Sequence, residues 1–210
     1  MIICDQGNRR VVRWSLASQQ LIQIIIEDTN CSGLQMSESG DLFVADMERH
    51  VVKKWKKDEN EGIIVAGGKG KGDQLDQLNR PTFIFVDQQD TVYVSDRNNH
   101  RVMKWLKDAN EGIIVAGGHG NGNSSTQLSY PQGLFVSKTG NVYVADQGNH
   151  RIMRWPPESQ NGHVIVGGNL RGKESHQLRG PIGLSFDAHY NLYIADSENN
   201  RIQRFEFDRK

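Results

Sequence analysis

The sequence predicts an all-β fold, a β-propeller of about five blades with four antiparallel strands each and incomplete terminal blades. Three observations carry that expectation. The stretch NVYVADQGNHRIMRW, from Asn141 to Trp155, recurs in related form from Thr91, Asn191 and Asp41, and in a clipped copy at the start. Asp5, Asp46, Asp96, Asp146 and Asp196 fall 41, 50, 50 and 50 residues apart, and Trp14, Trp55, Trp105, Trp155 and Phe205 keep the same intervals. Within each full period lie four apolar runs rich in Val, Ile, Tyr and Phe, bounded by Gly, Asn, Asp or Pro, which is the pattern of short strands rather than helices.

Taken in order, the units run over approximately 1–30, 31–80, 81–130, 131–180 and 181–210, within one domain. Met1 aligns with Val142, inside a strand, so the chain is expected to begin within a unit and to be part of a longer polypeptide. That leaves the first and last units three strands each. In the unit 131–180 the four runs are Gln132 to Val136, Asn141 to Ala145, Arg151 to Trp155 and His163 to Val166. Long glycine-rich connectors such as VAGGKGKGDQLDQLNRP, Val65 to Pro81, are expected to carry the chain from one outermost strand to the next innermost one, with glycines supplying positive-φ turns. The first connector lacks most of this loop, which accounts for the interval of 41.

Composition excludes more than it assigns. Lys plus Arg and Asp plus Glu number 25 each, so no global field draws the chain to DNA or to an anionic membrane. No apolar run approaches the ~18 to 20 residues that cross a bilayer. The compartment is left open. Cys4 and Cys31 show no metal or disulfide spacing, and Cys4, at the position held elsewhere by Ala45, Ser95, Ala145 and Ala195, reads as a packed thiol.

The turn of the repeat carries an Asp-x-x-Asn-x-Arg motif followed by Val or Ile: Asp5, Asn8, Arg10, Val11; Asp96, Asn99, Arg101, Val102; Asp146, Asn149, Arg151, Ile152; and Asp196, Asn199, Arg201, Ile202. A Gln-Leu-x-x-Pro lead-in precedes three innermost strands, at Gln77 to Pro81, Gln127 to Pro131 and Gln177 to Pro181. On these residues the chain resembles an NHL-repeat propeller over essentially its whole length. The unit containing Asp46 departs from the pattern, with Arg49 and Val51 in place of Asn and Arg, and Cys31 in place of Pro. Rings of this family commonly have six blades, so the resemblance implies an incomplete ring.

The repeated Asp and Arg read as structural, the Asp accepting turn N–H groups and the Arg pairing with an acidic or carbonyl neighbour. His50, His100 and His150 stand at equivalent points of successive blades, too far apart for the ~2.0 to 2.1 Å bonds of a shared zinc, and read as solvated turn residues. The glycine-rich connectors lead into strands rather than helices, which argues against phosphate cradles. The aromatic series reads as inter-blade core rather than a base-stacking surface, with Trp155, ahead of Pro156 and Pro157, the copy expected to be partly exposed. Sequons at Asn30 and Asn123 bear on function only in a secreted chain.

No catalytic or metal-binding set and no cofactor site is identified. The innermost runs, Ser32 to Met36, Thr82 to Val86, Gln132 to Val136 and Ile182 to Phe186, contain no His, Asp or Glu. A metal-dependent lyase or lactonase, as in related propellers, would have to draw on scattered loop residues such as Asp87, His119, His163, His176, Asp187 and His189. The favoured reading is a non-catalytic scaffold that presents its turns to a protein partner, as the resemblance to propellers attached to ubiquitin-ligase modules implies. Single-stranded RNA on a basic face is the alternative, drawing on Arg9, Arg10, Arg49, Arg97, Arg101 and Arg151. The candidate surface comprises Arg9, Arg49, His50, Arg97 and Asn98, and, further along, His100, Gln147, His150, Glu198 and Asn200.

Overall fold

The computed structural model describes residues 1–57, 59, 61–168 and 170–206, which form five sheets of three or four antiparallel strands in a propeller arrangement. Contacts divide the chain into two compact units, residues 1–94 with 104–113, and residues 95–103 with those from 114 onward. The first sheet contains β1 (Ile2–Asp5), β2 (Arg10–Ser15) and β3 (Gln20–Ile26), and the second β4 (Cys31–Met36), β5 (Leu42–Asp46), β6 (Val51–Trp55) and β7 (Ile63–Gly67). The third, β8 (Pro81–Val86), β9 (Val92–Asp96), β10 (Arg101–Trp105) and β11 (Ile113–Gly117), supplies strands to both units. The fourth contains β12 (Pro131–Val136), β13 (Val142–Asp146), β14 (Arg151–Trp155) and β15 (His163–Gly167), and the fifth β16 (Pro181–Phe186), β17 (Leu192–Asp196) and β18 (Arg201–Phe205). The strand distribution is the one the repeat predicts.

Each sheet is a run of neighbouring hairpins, and register fixes what meets across them. In the fourth, Val142 lies opposite Trp155 and Asp146 opposite Arg151, so the first and last residues of the motif are cross-strand partners. The middle strands are apolar on both faces because sheets cover them from both sides: every residue of β5 is buried. The core accordingly sits between sheets. In the first unit Val11, Ile26, Leu42 and Val44 interlock, and in the second Ile152, Val166, Leu178, Leu192 and Ile194 do so. Each such side chain contributes roughly 1.5 to 3 kcal/mol by leaving water.

Two expectations are corrected. Cys4 and Cys31 form a disulfide, with Cα atoms 5.4 Å apart, so the packed-thiol reading and the absence of a cross-link do not hold. The reason lies in the stacking of sheets: β1 packs against β4 as β5 packs against β8 and β13 against β16. Cys4 occupies the alanine position of one blade and Cys31 the proline position of the next, and this packing brings those unlike positions together. The second correction concerns the aromatics. Trp155 is fully buried and Trp105 is 1% exposed, whereas Trp14, Trp55 and Phe205 are partly exposed. Gly162 lies flat against the Trp155 ring, where a Cβ would come within 2.5 Å of a ring carbon, so the chain after Pro156 and Pro157 folds back over the indole instead of baring it.

Candidate functional site

The second and third strands of each blade are joined by a tight polar turn. Four of these are 3₁₀ turns, Gln6–Asn8, Arg97–Asn99, Gln147–Asn149 and Ser197–Asn199, each followed by a residue in the left-handed region: Arg9, His100, His150 and Asn200, with φ of 52 to 55°. His50 takes the same conformation, at φ 58°.

Behind each turn the motif residues bind one another. Asp146 Oδ2 accepts from Asn149 Nδ2 at 2.8 Å and Arg151 Nε at 2.7 Å, and its Oδ1 accepts the backbone N–H of Ser129 at 2.7 Å. The rest of the Arg151 guanidinium donates to the carbonyls of Asn123, Ser124 and Gln127, clamping the connector. Asp196, Asn199 and Arg201 repeat this arrangement, with Arg201 reaching Lys173, Glu174 and Gln177. Asp96 accepts from Asn99 and Arg101, and Asp5 from Asn8 and Arg10. In these turns the Asp residues accept from side chains, with a connector N–H added at Asp146 and Asp196 and the Asn8 N–H at Asp5.

In the divergent blade the aspartate takes its N–H donors from the turn itself. There Asp46 Oδ1 accepts from Glu48 and Arg49 N–H, and Arg49, three residues on, supplies the guanidinium that Val51 cannot, at 2.9 Å.

Burial separates otherwise matching carboxylates. Desolvation pushes the Asp146 carboxyl up, opposed by Asn149, Ser129 and Arg151. At Asp196 desolvation acts the same way, but Asn199, the Arg179 N–H and Arg201 outweigh it, and the carboxyl sits below its usual range. The difference follows exposure: the Arg151 side chain is 6% exposed and that of Arg201 29%.

The turn histidines are not free in solvent. His50, His100 and His150 are half-buried, and each Nδ1 accepts a backbone N–H from the next blade's lead-in, that of Arg80 at 3.0 Å, Tyr130 at 3.1 Å and Gly180 at 3.1 Å. Accepting at Nδ1 places the neutral ring's proton on Nε2. Desolvation lowers the pKa of His50, helped by Lys71 and Arg80, and that of His100, helped by Arg97.

The residue before the lead-in proline, which the sequence reading passed over, is where the blades differ most. Arg80, Tyr130 and Gly180 all have φ between 50 and 56°. Tyr130 is 39% exposed, its ring edge-on to His100 at 4.7 Å and beneath the Arg97 guanidinium at 4.9 Å. Arg97 also donates to Asn98, Gln147 accepts from Gln132, and Glu198 pairs with Arg179 at 3.0 Å, while Asn200 is exposed.

In the first unit the turn end opens into a cleft of about 350 Å³. Arg9, Asn30, Met47 and Glu48 form one part of its wall, and His50, Lys71 and Arg80 the rest. Arg9 is held by Glu48 and Asp28, and Arg49 by Asp28 and Asp46. Of the candidate residues the structure thus brings Arg9 and His50 to one cleft and Arg97, Asn98 and His100 to one platform. Arg80, Lys71 and Tyr130 were missed; for Arg80 and Tyr130 the signal was the changing residue before the proline of Gln-Leu-x-x-Pro. Among the described residues no three His, Cys, Asp or Glu side chains gather as a set that could hold a metal ion, and no helix is long and apolar enough to cross a membrane.

Comparison with known proteins adds family and fold. A sequence model of the NHL repeat matches residues 78–105, 128–154 and 178–205. No curated protein matches the chain by sequence. Among solved structures the chain is similar to an auxiliary nutrient binding protein from Bacteroides thetaiotaomicron, at 17% identity and a TM-score of 0.73, covering 94% of this chain and 53% of that one. It is also similar to a gluconolactonase from Xanthomonas campestris, at 15% identity and a TM-score of 0.69, covering 97% and 70%. Virginiamycin B lyase from Staphylococcus aureus matches at 11% identity and a TM-score of 0.65, covering 100% and 67%. At these identities the likeness is one of fold, and the chain spans about half the length of the nutrient binding protein.

Proposed function

Starting from an NHL-repeat propeller with the repeat matched in three of its five blades, we propose that this protein is a non-catalytic binding module whose turn end holds a protein partner. One observation carries the reading: the repeated residues are engaged within the fold, while Arg80 and Tyr130, which do not repeat, are exposed. Asp146, Asn149 and Arg151 satisfy one another and the connector. The left-handed position beside each histidine meanwhile changes from Arg80 to Tyr130 to Gly180 on an unchanged backbone. A repeated frame presenting a varied surface is how such arrays acquire specificity.

The platform of Tyr130, Arg97 and His100 suits a protein interface, where Tyr and Arg anchors dominate binding energy. The ring is already held edge-on by His100 and covered by Arg97, so little side-chain freedom is lost on contact.

The test is affinity capture from cells that express the protein, with quantitative mass spectrometry, comparing wild type with the double variant Arg97→Ala, Tyr130→Gly. Glycine is the natural choice at 130 because Gly180 holds that place one blade on. A protein retained by wild type, and by Lys107→Gln, but lost from the double variant is the expected result. Equal retention by all three would sink the proposal. So would single-stranded RNA binding that weakens steeply with salt, or hydrolysis of a lactone dependent on an added divalent metal.

A further inference from the structure

We propose that the cleft of the first unit is a binding site for a small dianion, a dicarboxylate or a phosphate monoester, gripped by Lys71 and Arg80. The site shares no residue with the Tyr130 platform, so neither proposal depends on the other.

Charge is the first argument. Three cations and one carboxylate line the cleft, a net charge of two positive. Glu48 is engaged by Arg9, and Arg9 is shared with Asp28, so that part of the wall is internally neutralised and held in place. Lys71 and Arg80 have no ion-pair partner among the described residues; the Arg80 guanidinium rests against the Met47 sulfur at 3.1 Å. Two uncompensated cations facing one concavity match a ligand with two negative charges.

Donor geometry is the second. His50 accepts the Arg80 N–H at Nδ1, which leaves Nε2–H as the donor of the neutral ring. The cleft therefore offers an ammonium, a guanidinium, an imidazole N–H and the Asn30 amide, a set made for oxygens that accept several hydrogen bonds at once. Desolvation lowers the pKa of His50, and the charges of the same two cations add to it. A volume of about 350 Å³ is at the small end of ligand sites, the size for a metabolite rather than a chain.

The third argument is that this combination is not part of the repeat. Lys71 corresponds to Asn121 and Arg171, and Arg80 to Tyr130 and Gly180, so Lys and Arg stand together only here. Arg80 moreover sits at φ 56°, in the left-handed region that glycine adopts without penalty and other residues hold only at a cost. The equivalent Gly180 shows that the frame accepts glycine; the guanidinium is present for another reason.

The test is isothermal titration calorimetry of the purified chain with inorganic phosphate and, in parallel, with succinate. Saturable one-to-one binding of at least one probe is expected, phosphate alone pointing to a phosphate monoester and succinate alone to a dicarboxylate. Lys71→Gln and Arg80→Gln should each weaken it about tenfold or more, the scale of a lost charge-assisted hydrogen bond. Lys69→Gln, on the same connector but outside the wall, should stay within about twofold of wild type. Urea melts check that each variant folds, and if Arg80→Gln does not, Lys71→Gln decides. No saturable binding of either probe by folded wild type overturns the proposal, as does an equal loss in Lys69→Gln and Lys71→Gln.

Discussion

Replacing Arg151 with methionine is expected to destabilise the second unit by about 3 to 5 kcal/mol, the scale for breaking a buried ion pair from one side. The substitution keeps the aliphatic stem and deletes the guanidinium, so it removes hydrogen bonds without opening a large cavity. Four are lost: one to Asp146 at 2.7 Å and three to the carbonyls of Asn123, Ser124 and Gln127 at 2.8 to 3.1 Å. The connector carbonyls lie near exposed chain and can take water, so most of the cost falls on Asp146, which is fully buried and keeps only Asn149 and the Ser129 N–H. Arg201→Met deletes the equivalent bonds where the arginine side chain is 29% exposed, and should cost only about 1 to 2 kcal/mol because water replaces part of what is lost. Adding Asp146→Asn to Arg151→Met removes the stranded charge and should return about 2 kcal/mol or more, a coupling that a double-mutant cycle measures directly. Urea unfolding followed by tryptophan fluorescence gives all four values. If Arg151→Met falls within about 1 kcal/mol of wild type, or Arg201→Met costs more, the motif is not the clamp described above.

Trp105→Ala should lose about 3 to 5 kcal/mol by cavity formation, and His100→Ala about 1 to 2 kcal/mol by removing the acceptor of the Tyr130 N–H; equal melting temperatures for the two would refute the packing assignment. Because the folded-state pKa values of His50 and His100 are lowered, the unfolded chain binds more protons just below their ordinary value. Their contribution is complete above about pH 6.5 and is lost as pH falls through the lower folded values; urea midpoints between pH 8 and pH 5 should show the fall shrink in a variant carrying His50→Asn and His100→Asn. Reduction of the Cys4–Cys31 disulfide opens a link spanning 27 residues and should cost about 3 to 4 kcal/mol, read as a drop in melting temperature that Cys4→Ser with Cys31→Ser reproduces without reductant.

What the sequence disclosed was whatever repeats with the blade. The interval of 50 residues located the hairpins, and Arg151 was readable as bound to an acidic or carbonyl neighbour because it closes the turn that Asp146 opens. What escaped was set by the neighbouring blade. His100 looks like any polar turn residue until the lead-in 30 residues later delivers the Tyr130 N–H to its ring. Cys4 and Cys31 occupy different phases of the period, so alignment of the copies separates the two residues that stacking joins. Trp155 and Trp55 hold the same place in the period, and each has a glycine against its ring, Gly162 or Gly62, yet one is fully buried and the other partly exposed. The cleft was hidden differently: Lys71 and Arg80 are departures from the repeat, and a search for regularity passes over departures.

The histidine link also bears on how such a chain grows by tandem duplication. His50, His100 and His150 each reach forward by 30 residues, so a copied segment one period long arrives with an acceptor for its successor and a donor for its predecessor, already matched. Insertions at the distal tip of a connector leave that handshake intact, whereas a change of a single residue between Gln-Leu and the proline shifts the donor off the ring. Newly duplicated units can therefore diverge freely at 80, 130 and 180 in side chain, but not in length.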